Sequence, residues 1–210
     1  MTPDSTRRPL AWQPNRASFV AMTTVGRATV ESAQDIARVY VDTWRSTYPG
    51  LLPDRVLVGL SIDRQVADWS WLIRNRSQSL PVLVARDTKH GVVGFTSCGP
   101  SRANDRPTIG PFAAGAGEVF TLYVRPEFQD LGIGRQLLCA AFGALKERGF
   151  GRALLWVLNG SPSRFFYERM GGLRIAERRE RLWGCDVDES AYAWPDLPHA
   201  ITRIGSCSAT

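Results

Sequence analysis

Two glycines separated by one residue, Gly132 and Gly134, form the part of the sequence best suited to hold a ligand. They lie in the segment Gln129–Gly134, between a predicted strand that ends at Val124 and a predicted helix. A helix N-terminus offers unpaired backbone N–H groups and a partial positive charge, and glycine lets a phosphate approach the backbone closely. The segment therefore predicts an anion-binding turn, with a plain glycine-rich turn as the alternative. No G-K-[ST] follows it and one glycine of G-x-G-x-x-G is missing, so it is neither a Walker loop nor a dinucleotide fingerprint.

The two elements that flank this turn must position it. Glu118–Val124 predicts a strand, and the apolar stripe of Gly132–Arg148 predicts a helix that Gly149 ends. Further strands are predicted at Val25–Val30, Pro81–Arg86, Val92–Cys98, Ala153–Leu158, Leu173–Trp183 and Glu189–Trp194. Further helices are predicted at Glu31–Tyr48, from Pro53 to Arg76 with a break near Ser61, and at Pro162–Met170. The long segment Gly99–Gly117 is predicted to be a loop.

Helices interleaved with partly hairpin-connected strands favour a mixed sheet in an α/β or α+β fold. The chain of 210 residues is predicted to hold one domain over residues 23–197. Residues 1–22 are interpreted as a flexible extension, because no apolar signal region follows their arginines. Residues 198–210 carry no clear pattern and are interpreted as a tail.

Composition narrows the classes of function. The net charge of +6 comes without a long basic run, so a nucleic-acid partner is not favoured, while a ligand with several phosphates suits the balance. The four cysteines have no C-x-x-C spacing and there are only two histidines, so we expect no metal site and a reducing cytoplasm. No apolar run approaches the length of a membrane span.

The stretch from Glu118 to Gly134 resembles motif A of the GNAT acetyltransferases. In that motif an apolar strand ends near Val-x-Pro, and [Q/R]-x-x-G-x-[G/A] and a helix follow. The chain matches its order and spacing at Gln129, Gly132 and Gly134. Residues 164–172 (RFFYERMGG) resemble motif B, where a Phe-Tyr pair on a short helix precedes a glycine. The resemblance covers Val25–Trp194 and implies a mixed, mostly antiparallel central sheet flanked by helices.

The resemblance also implies that acetyl-CoA binds. Its pyrophosphate would lie near the Gln129 side chain, on the backbone N–H groups of Asp130, Leu131, Gly132, Ile133, Gly134 and Arg135. Its pantetheine arm would pair with a bulged strand that splays from its neighbour, and this stretch maps onto Leu122, Tyr123 and Val124. A backbone N–H there would polarise the thioester carbonyl. The family often has an asparagine before the motif B helix. Its place falls on Gly160 or Ser161 here, so the adjacent Asn159 is the candidate contact with the arm.

Two residues take catalytic roles by resemblance. Tyr167 matches the general acid that protonates the departing thiolate, a role that suits a phenol with an ordinary pKa of about 10. The alternative for Tyr167 is a core tyrosine packed beside Phe165 and Phe166. Glu118 stands where related enzymes often place a general base that acts directly or through water, and the alternative is a surface charge.

The acceptor side is indicated by the segment Trp44–Pro53 (WRSTYPGLLP), which resembles a pattern seen in many bacterial GNAT proteins. Trp44 and Tyr48 are neighbours on one helix face and would wall an acceptor pocket or belong to the core. The predicted function is transfer of an acetyl group to a primary amine of a small molecule or peptide, by direct attack in a ternary complex. The alternatives are a non-catalytic acyl-CoA-binding or sensing module and an enzyme that acetylates charged tRNA. A homodimer paired through the C-terminal strands would be consistent with the family.

Overall fold

The computed structural model describes residues 23–76, 79–102, 112–182 and 184–206, and in these ranges the chain forms seven strands and six helices. The strands are β1 (Thr23–Arg27), β2 (Val82–Asp87), β3 (Gly91–Pro100), β4 (Gly117–Val124), β5 (Ala153–Leu158), β6 (Leu173–Leu182) and β7 (Cys185–Trp194). The helices are α1 (Ala33–Thr47), α2 (Asp54–Val58), α3 (Ile62–Arg76), α4 (Ile133–Glu147), α5 (Ser163–Arg169) and α6 (Leu197–Ser206). Short 3-10 turns, Val30–Ser32 and Pro126–Phe128, lie before α1 and α4.

All seven strands belong to one sheet, in the order β1-β2-β3-β4-β5-β7-β6. Every pair of neighbours is antiparallel except β4 and β5, which run parallel. The prediction of a mixed, mostly antiparallel sheet flanked by helices is therefore confirmed.

The parallel pair separates soon after it forms. The ladder joins only residues 117–118 of β4 to residues 153–154 of β5, although the strands continue to Val124 and Leu158. Beyond the ladder the two strands diverge and leave a wedge between them. The splay that the family resemblance implied is present.

A β-bulge lies in β4 where the wedge begins. Ser97 of β3 pairs with Thr121 and Cys98 pairs with Val119, so Phe120 is an extra residue in β4. A bulge bends its strand and increases the local twist. The bend gives a physical reason for the separation of β4 from β5.

Two helical layers cover the sheet. On one face, Ile36 of α1 and Trp69 of α3 pack on Val84 and Phe95. On the other face, Leu138 and Phe142 of α4 are fully buried against β4, β5 and α6. Each such apolar side chain stabilises the fold by about 1.5–3 kcal/mol of burial. We call these surfaces the α1 face and the α4 face of the sheet.

The prediction of a tail from residue 198 is wrong for most of that segment. Helix α6 packs on α4 through the buried side chains of Leu197, Ala200 and Ile204. Their spacing of three and four residues is helical, and the carboxylate of Asp196 accepts the His199 N–H at 2.9 Å, as at a helix N-terminus. Both signals are in the sequence, but the helix is short and its stability comes from packing.

The other predicted elements are confirmed, with ends shifted by a few residues. The break near Ser61 separates α2 from α3, β3 continues to Pro100, and β7 begins at Cys185 before its predicted start. The predicted extension over residues 1–22 lies outside the described residues, as do residues 103–111 of the predicted loop.

Candidate active site

A cleft of about 1050 Å³ opens where β4 and β5 separate. The C-terminal halves of these strands, the start of α4, α5 and the end of α1 surround it. Most of the predicted site residues line it: Trp44, Tyr48, Glu118, Leu122, Tyr123, Val124, Gln129, Asp130, Gly132, Gly134, Arg135 and Tyr167. The side chains of Leu131 and Ile133 are instead buried in the core below the turn, so these residues can offer only backbone groups.

The predicted anion-binding turn has the backbone shape that such a role requires. Asp130 and Gly132 have φ angles of 59° and 84°, a left-handed conformation that glycine adopts without strain. Gly132 is the N-cap of the 15-residue helix α4, whose first turn has no acidic residue. The first backbone N–H groups of an α-helix, here those of Ile133 and Gly134, have no acceptor within the helix. A phosphate at this end gains from these donors and from the helix dipole.

Side chains around the turn connect it to its neighbours. Gln129 Nε2 donates to the Val124 carbonyl at 3.0 Å, so the side chain ties the turn to the end of β4. Arg135 Nη1 donates to the Ile204 carbonyl of α6 at 3.1 Å. A Cβ atom at Gly134 would lie 3.4 Å from the Phe166 ring, which shows how closely α4 approaches α5. Helices α5 and α6 thus hold the turn in place.

The outer half of β4 has a backbone edge with no strand beside it. β4 pairs with β3 up to Val124, but its ladder with β5 ends at Glu118. The stretch Leu122–Val124 consequently borders the wedge without a neighbouring strand, and within it the Val124 carbonyl accepts bonds from Gln129 and from the Thr43 hydroxyl. An extended ligand that carries amide groups can pair with such an edge as an added strand does.

Tyr167 lies in the core and in the cleft at once. It is 7% exposed, packs on Phe166 and Trp194, and lines the cleft. Burial raises the pKa of the Tyr167 phenol, and the nearby Tyr48 phenol adds to this shift. The two interpretations from the sequence are therefore compatible, because a core tyrosine here can still present a protonated hydroxyl to the cleft.

The carboxylate of Glu118 accepts several hydrogen bonds, which does not suit the predicted role of a general base. Its side chain is 3% exposed and pairs with the Arg102 guanidinium at 2.8 Å. The Arg102 backbone N–H donates to its other oxygen at 2.8 Å, and the Ser101 hydroxyl reaches the same oxygen at 3.4 Å. A carboxylate has about four acceptor positions, and these contacts use most of them. The geometry favours a role in positioning Arg102 and the start of β4.

Replacing Glu118 with Gln is expected to lower the free energy of unfolding by about 1–3 kcal/mol, because the bonds from Arg102 lose their charged acceptor. We expect any acidic limb of the pH–rate profile to remain. The measurements are urea unfolding and kcat/KM between pH 6 and 9. Loss of that limb with unchanged stability would instead identify Glu118 as the base.

Asn159, the candidate contact with the pantetheine arm, does not lie in the cleft. Its amide accepts a bond from the Ser190 hydroxyl at 2.6 Å and donates to Glu177 at 3.3 Å. It lines a separate cavity of about 170 Å³ beside β7. The assignment is corrected for a topological reason: the turn after β5 directs residue 159 towards β7, and Pro162 and Ser163 line the cleft instead.

The pair Trp44 and Tyr48 belongs to a buried cluster and also lines the cleft, so both interpretations from the sequence stay open. Trp44 is 4% exposed and stacks on Tyr40 with ring centroids 4.9 Å apart. Tyr48 is half-buried and meets Trp44 edge-on at 5.1 Å. Both belong to a cluster with Leu158 and both line the cleft. Burial raises the pKa of the Tyr48 phenol, so it enters the site as a neutral hydroxyl.

Several lining residues were not predicted from the sequence: Arg102, Trp156, Arg178, Glu180 and Glu189. They come from β5, β6, β7 and the segment before β4, and no short motif connects them. Their assembly depends on the strand order β5-β7-β6.

The chain is similar in sequence to a known protein family and to a bacterial relative. The profile of the "Acetyltransferase (GNAT) family" matches residues 33–172. The chain is 35% identical over 184 residues to the "Uncharacterized N-acetyltransferase YuaI" of Bacillus subtilis (strain 168), covering 87% of this chain and 99% of that relative.

Solved structures share the fold at lower identity. The PaiA N-acetyltransferase of Thermoplasma acidophilum, solved with coenzyme A, has 20% identity and a TM-score of 0.58, over 80% of this chain and 97% of that one. YncA of Salmonella typhimurium, a putative acetyltransferase solved with acetyl-CoA, has 19% identity and a TM-score of 0.61, over 84% and 94%. The ribosomal-protein-alanine N-acetyltransferase of Brucella melitensis has 21% identity and a TM-score of 0.61, over 81% and 98%.

Two features are absent from the described residues. No helix there is long and apolar enough to cross a membrane. In the same part of the chain, no three His, Cys, Asp or Glu side chains are grouped so that they could hold a metal ion.

Proposed function

The chain belongs to the acetyltransferase (GNAT) family, and on that premise we propose that it transfers the acetyl group of acetyl-CoA to a primary amine of a small molecule or peptide. One observation carries the proposal: a left-handed glycine turn, an open strand edge and a buried tyrosine meet in a single cleft. The acceptor amine attacks directly while both substrates are bound.

The residues of the cleft fit acetyl-CoA. The N–H groups at the start of α4 suit its pyrophosphate, and the open edge of Leu122–Val124 suits the amides of its pantetheine arm. Arg135 and Arg169 line the same end and add positive charge. When bound, acetyl-CoA supplies an acetyl group activated as a thioester.

Groups of this chain polarise the thioester, supply a proton and exclude water. A backbone N–H of β4 in the wedge polarises the carbonyl to be attacked, as an oxyanion hole does. Tyr167 holds a proton that it can give to the departing thiolate, since burial keeps its phenol protonated at neutral pH. Trp44 and Tyr48 exclude water from the acceptor side. The overall reaction forms the N–C bond and breaks the C–S bond. Two protons leave the amine nitrogen: one passes to solvent, and the other replaces the proton that the Tyr167 phenol has given to the thiolate.

The rival function, a non-catalytic acyl-CoA-binding or sensing module, would keep the turn and the wedge but would not need Tyr167 at the cleft. The position of this phenol favours the enzyme. We further propose a cytoplasmic location, since Cys98 and Cys139 are free thiols, and a homodimer formed through the edge strand β6, where Leu173 and Ile175 are exposed.

Titration of the purified protein with acetyl-CoA by calorimetry tests the proposal, followed by detection of free thiol in the presence of an amine panel. We expect saturable binding and amine-dependent thiol release. Binding without release on any amine would favour the sensing module. Absence of binding would overturn the proposal, and the turn would then be only a glycine-rich connection.

A further inference from the structure

The described residues give the two ends of the cleft opposite net formal charges. Among the described lining residues, the end near the α4 N-terminus has two cations and one anion, which are Arg135, Arg169 and Asp130. The other end has three carboxylates and two guanidinium groups, which are Glu118, Glu180, Glu189, Arg102 and Arg178. The net charges are therefore +1 and −1. The positive end suits the phosphates of acetyl-CoA, which leaves the negative end for the acceptor.

The negative end opens on the α1 face of the sheet. Side chains alternate along a strand, and Leu155 and Val157 pack on the α4 face, so Trp156 points to the α1 face. Trp156 packs there with Ala191 and Ala193 of β7, and Glu189, two residues before Ala191, shares this direction. Glu189 lies close enough to Tyr48 of the α1 side to contribute to the raised pKa of its phenol. Acceptor and donor thus approach the wedge from different faces.

Two carboxylates at this end share one arginine. Arg178 Nη2 lies 2.9 Å from Glu180 Oε2, and Arg178 Nε donates to Glu189 Oε2 at 2.8 Å. The same guanidinium stacks 3.9 Å from the centre of the Trp156 ring, and all three charged side chains are at most 20% exposed. Because Arg178 already serves two carboxylates, it is a poor partner for a third one. We call Glu180 and Glu189 the carboxylate pair. The formal charges of these two residues and Arg178 sum to −1.

We propose that the acceptor is an aliphatic amine with a second positive charge and no carboxylate, and that the carboxylate pair binds its distal ammonium. This inference rests on the proposed function for the reaction at the near nitrogen. An acceptor carboxylate at the same position would meet Glu180 and Glu189 in a half-buried setting, where like charges repel strongly. The aromatic side chains of Trp44 and Tyr48 provide an apolar wall for the methylene chain between the two nitrogens.

The test compares three acceptors that share an aminobutyl chain and differ only at the far end. These are 1,4-diaminobutane with an ammonium, n-pentylamine with a methyl group, and 5-aminopentanoate with a carboxylate. Thiol release from acetyl-CoA is measured at pH 8 with each. We expect kcat/KM to fall at least about tenfold from the diamine to n-pentylamine, and again to 5-aminopentanoate. Equal or better use of 5-aminopentanoate would overturn the inference.

Variants that remove one carboxylate charge test which residues select the diamine. Glu180→Gln and Glu189→Gln are each expected to lower kcat/KM for 1,4-diaminobutane by about tenfold and to leave that for n-pentylamine within about twofold. Glu180→Gln keeps the inference testable if the loss of Glu189 disturbs folding. Asp188→Asn is the matched control, because Asp188 is on the same strand, 58% exposed and paired with Arg179 outside the cleft. An equal effect of Asp188→Asn would show a general charge effect and contradict the inference.

A binding measurement separates this inference from the proposed function. Calorimetry of 1,4-diaminobutane and 5-aminopentanoate is carried out on the wild type and on Glu180→Gln in the presence of CoA. Preferential binding of the diamine that is lost in Glu180→Gln supports the inference even if no acetyl transfer is detected. Equal binding of both compounds overturns it, even if acetyl transfer to another amine is observed.

Discussion

Replacing Gly132 with Asp is expected to weaken acetyl-CoA binding by at least about 100-fold, which corresponds to about 2.7 kcal/mol. The substitution adds a carboxylate at the N-cap of α4, where the pyrophosphate is expected to lie. Aspartate is a favourable residue at a helix N-terminus, so the helix itself gains from the new charge. The φ of 84° at this position costs about 1–2 kcal/mol for a residue with a Cβ atom. Calorimetric titration of the folded variant gives the affinity.

Gly149→Asp is the matched control. Gly149 follows the same helix at its other end, has a φ of 86°, and a Cβ atom there would meet nothing within 4 Å. The control therefore has the same backbone strain and the same added charge, but far from the turn. We expect its affinity for acetyl-CoA to stay within about twofold of the wild type. Similar losses in both variants would show that stability, and not the turn, is responsible.

Replacing Tyr167 with Phe is expected to lower kcat by about 10²-fold and to leave acetyl-CoA binding within about twofold. The variant keeps the ring that packs on Phe166 and Trp194, and it loses only the hydroxyl that supplies the proton. Because burial raises the pKa of Tyr167 above its ordinary value of 10, the phenol stays protonated below that pH. We therefore expect no alkaline loss of rate from this group between pH 6 and 9. Single-turnover thiol release measures the chemical step.

Tyr192→Phe controls for the loss of a buried hydroxyl nearby. The ring centroids of Tyr192 and Tyr167 are 6.3 Å apart, but the Tyr192 hydroxyl donates to Glu168 at 2.8 Å and does not line the cleft. We expect this variant to lose about 1 kcal/mol of stability and to keep its kcat. An unchanged kcat in Tyr167→Phe would mean that solvent supplies the proton and that Tyr167 is a packing residue only.

Local chemistry let the sequence predict the turn and its flanking elements. Gly132 provides the left-handed backbone that the turn needs. The apolar stripe of α4 follows from the helical period. Both features can be recognised in the sequence without the fold. The resemblance at Gln129 and Tyr167 added the wedge and the bulge, which the structure contains. The same local signals mark the start of α6 at Asp196 and Leu197, although the segment from residue 198 was interpreted as a tail.

Tertiary structure alone decided which side chains meet across the sheet. Glu118 was a candidate base by position, yet Arg102 donates to its oxygens because Arg102 follows the end of β3, which pairs with the start of β4. Asn159 was adjacent in sequence to the expected contact, yet the turn after β5 directs it to β7. The β6-β7 hairpin next to β5 brings the carboxylate pair, Glu180 and Glu189, together with Arg178. Such contacts depend on strand order and register, which are set by the packing of the whole sheet and not by any local run of residues.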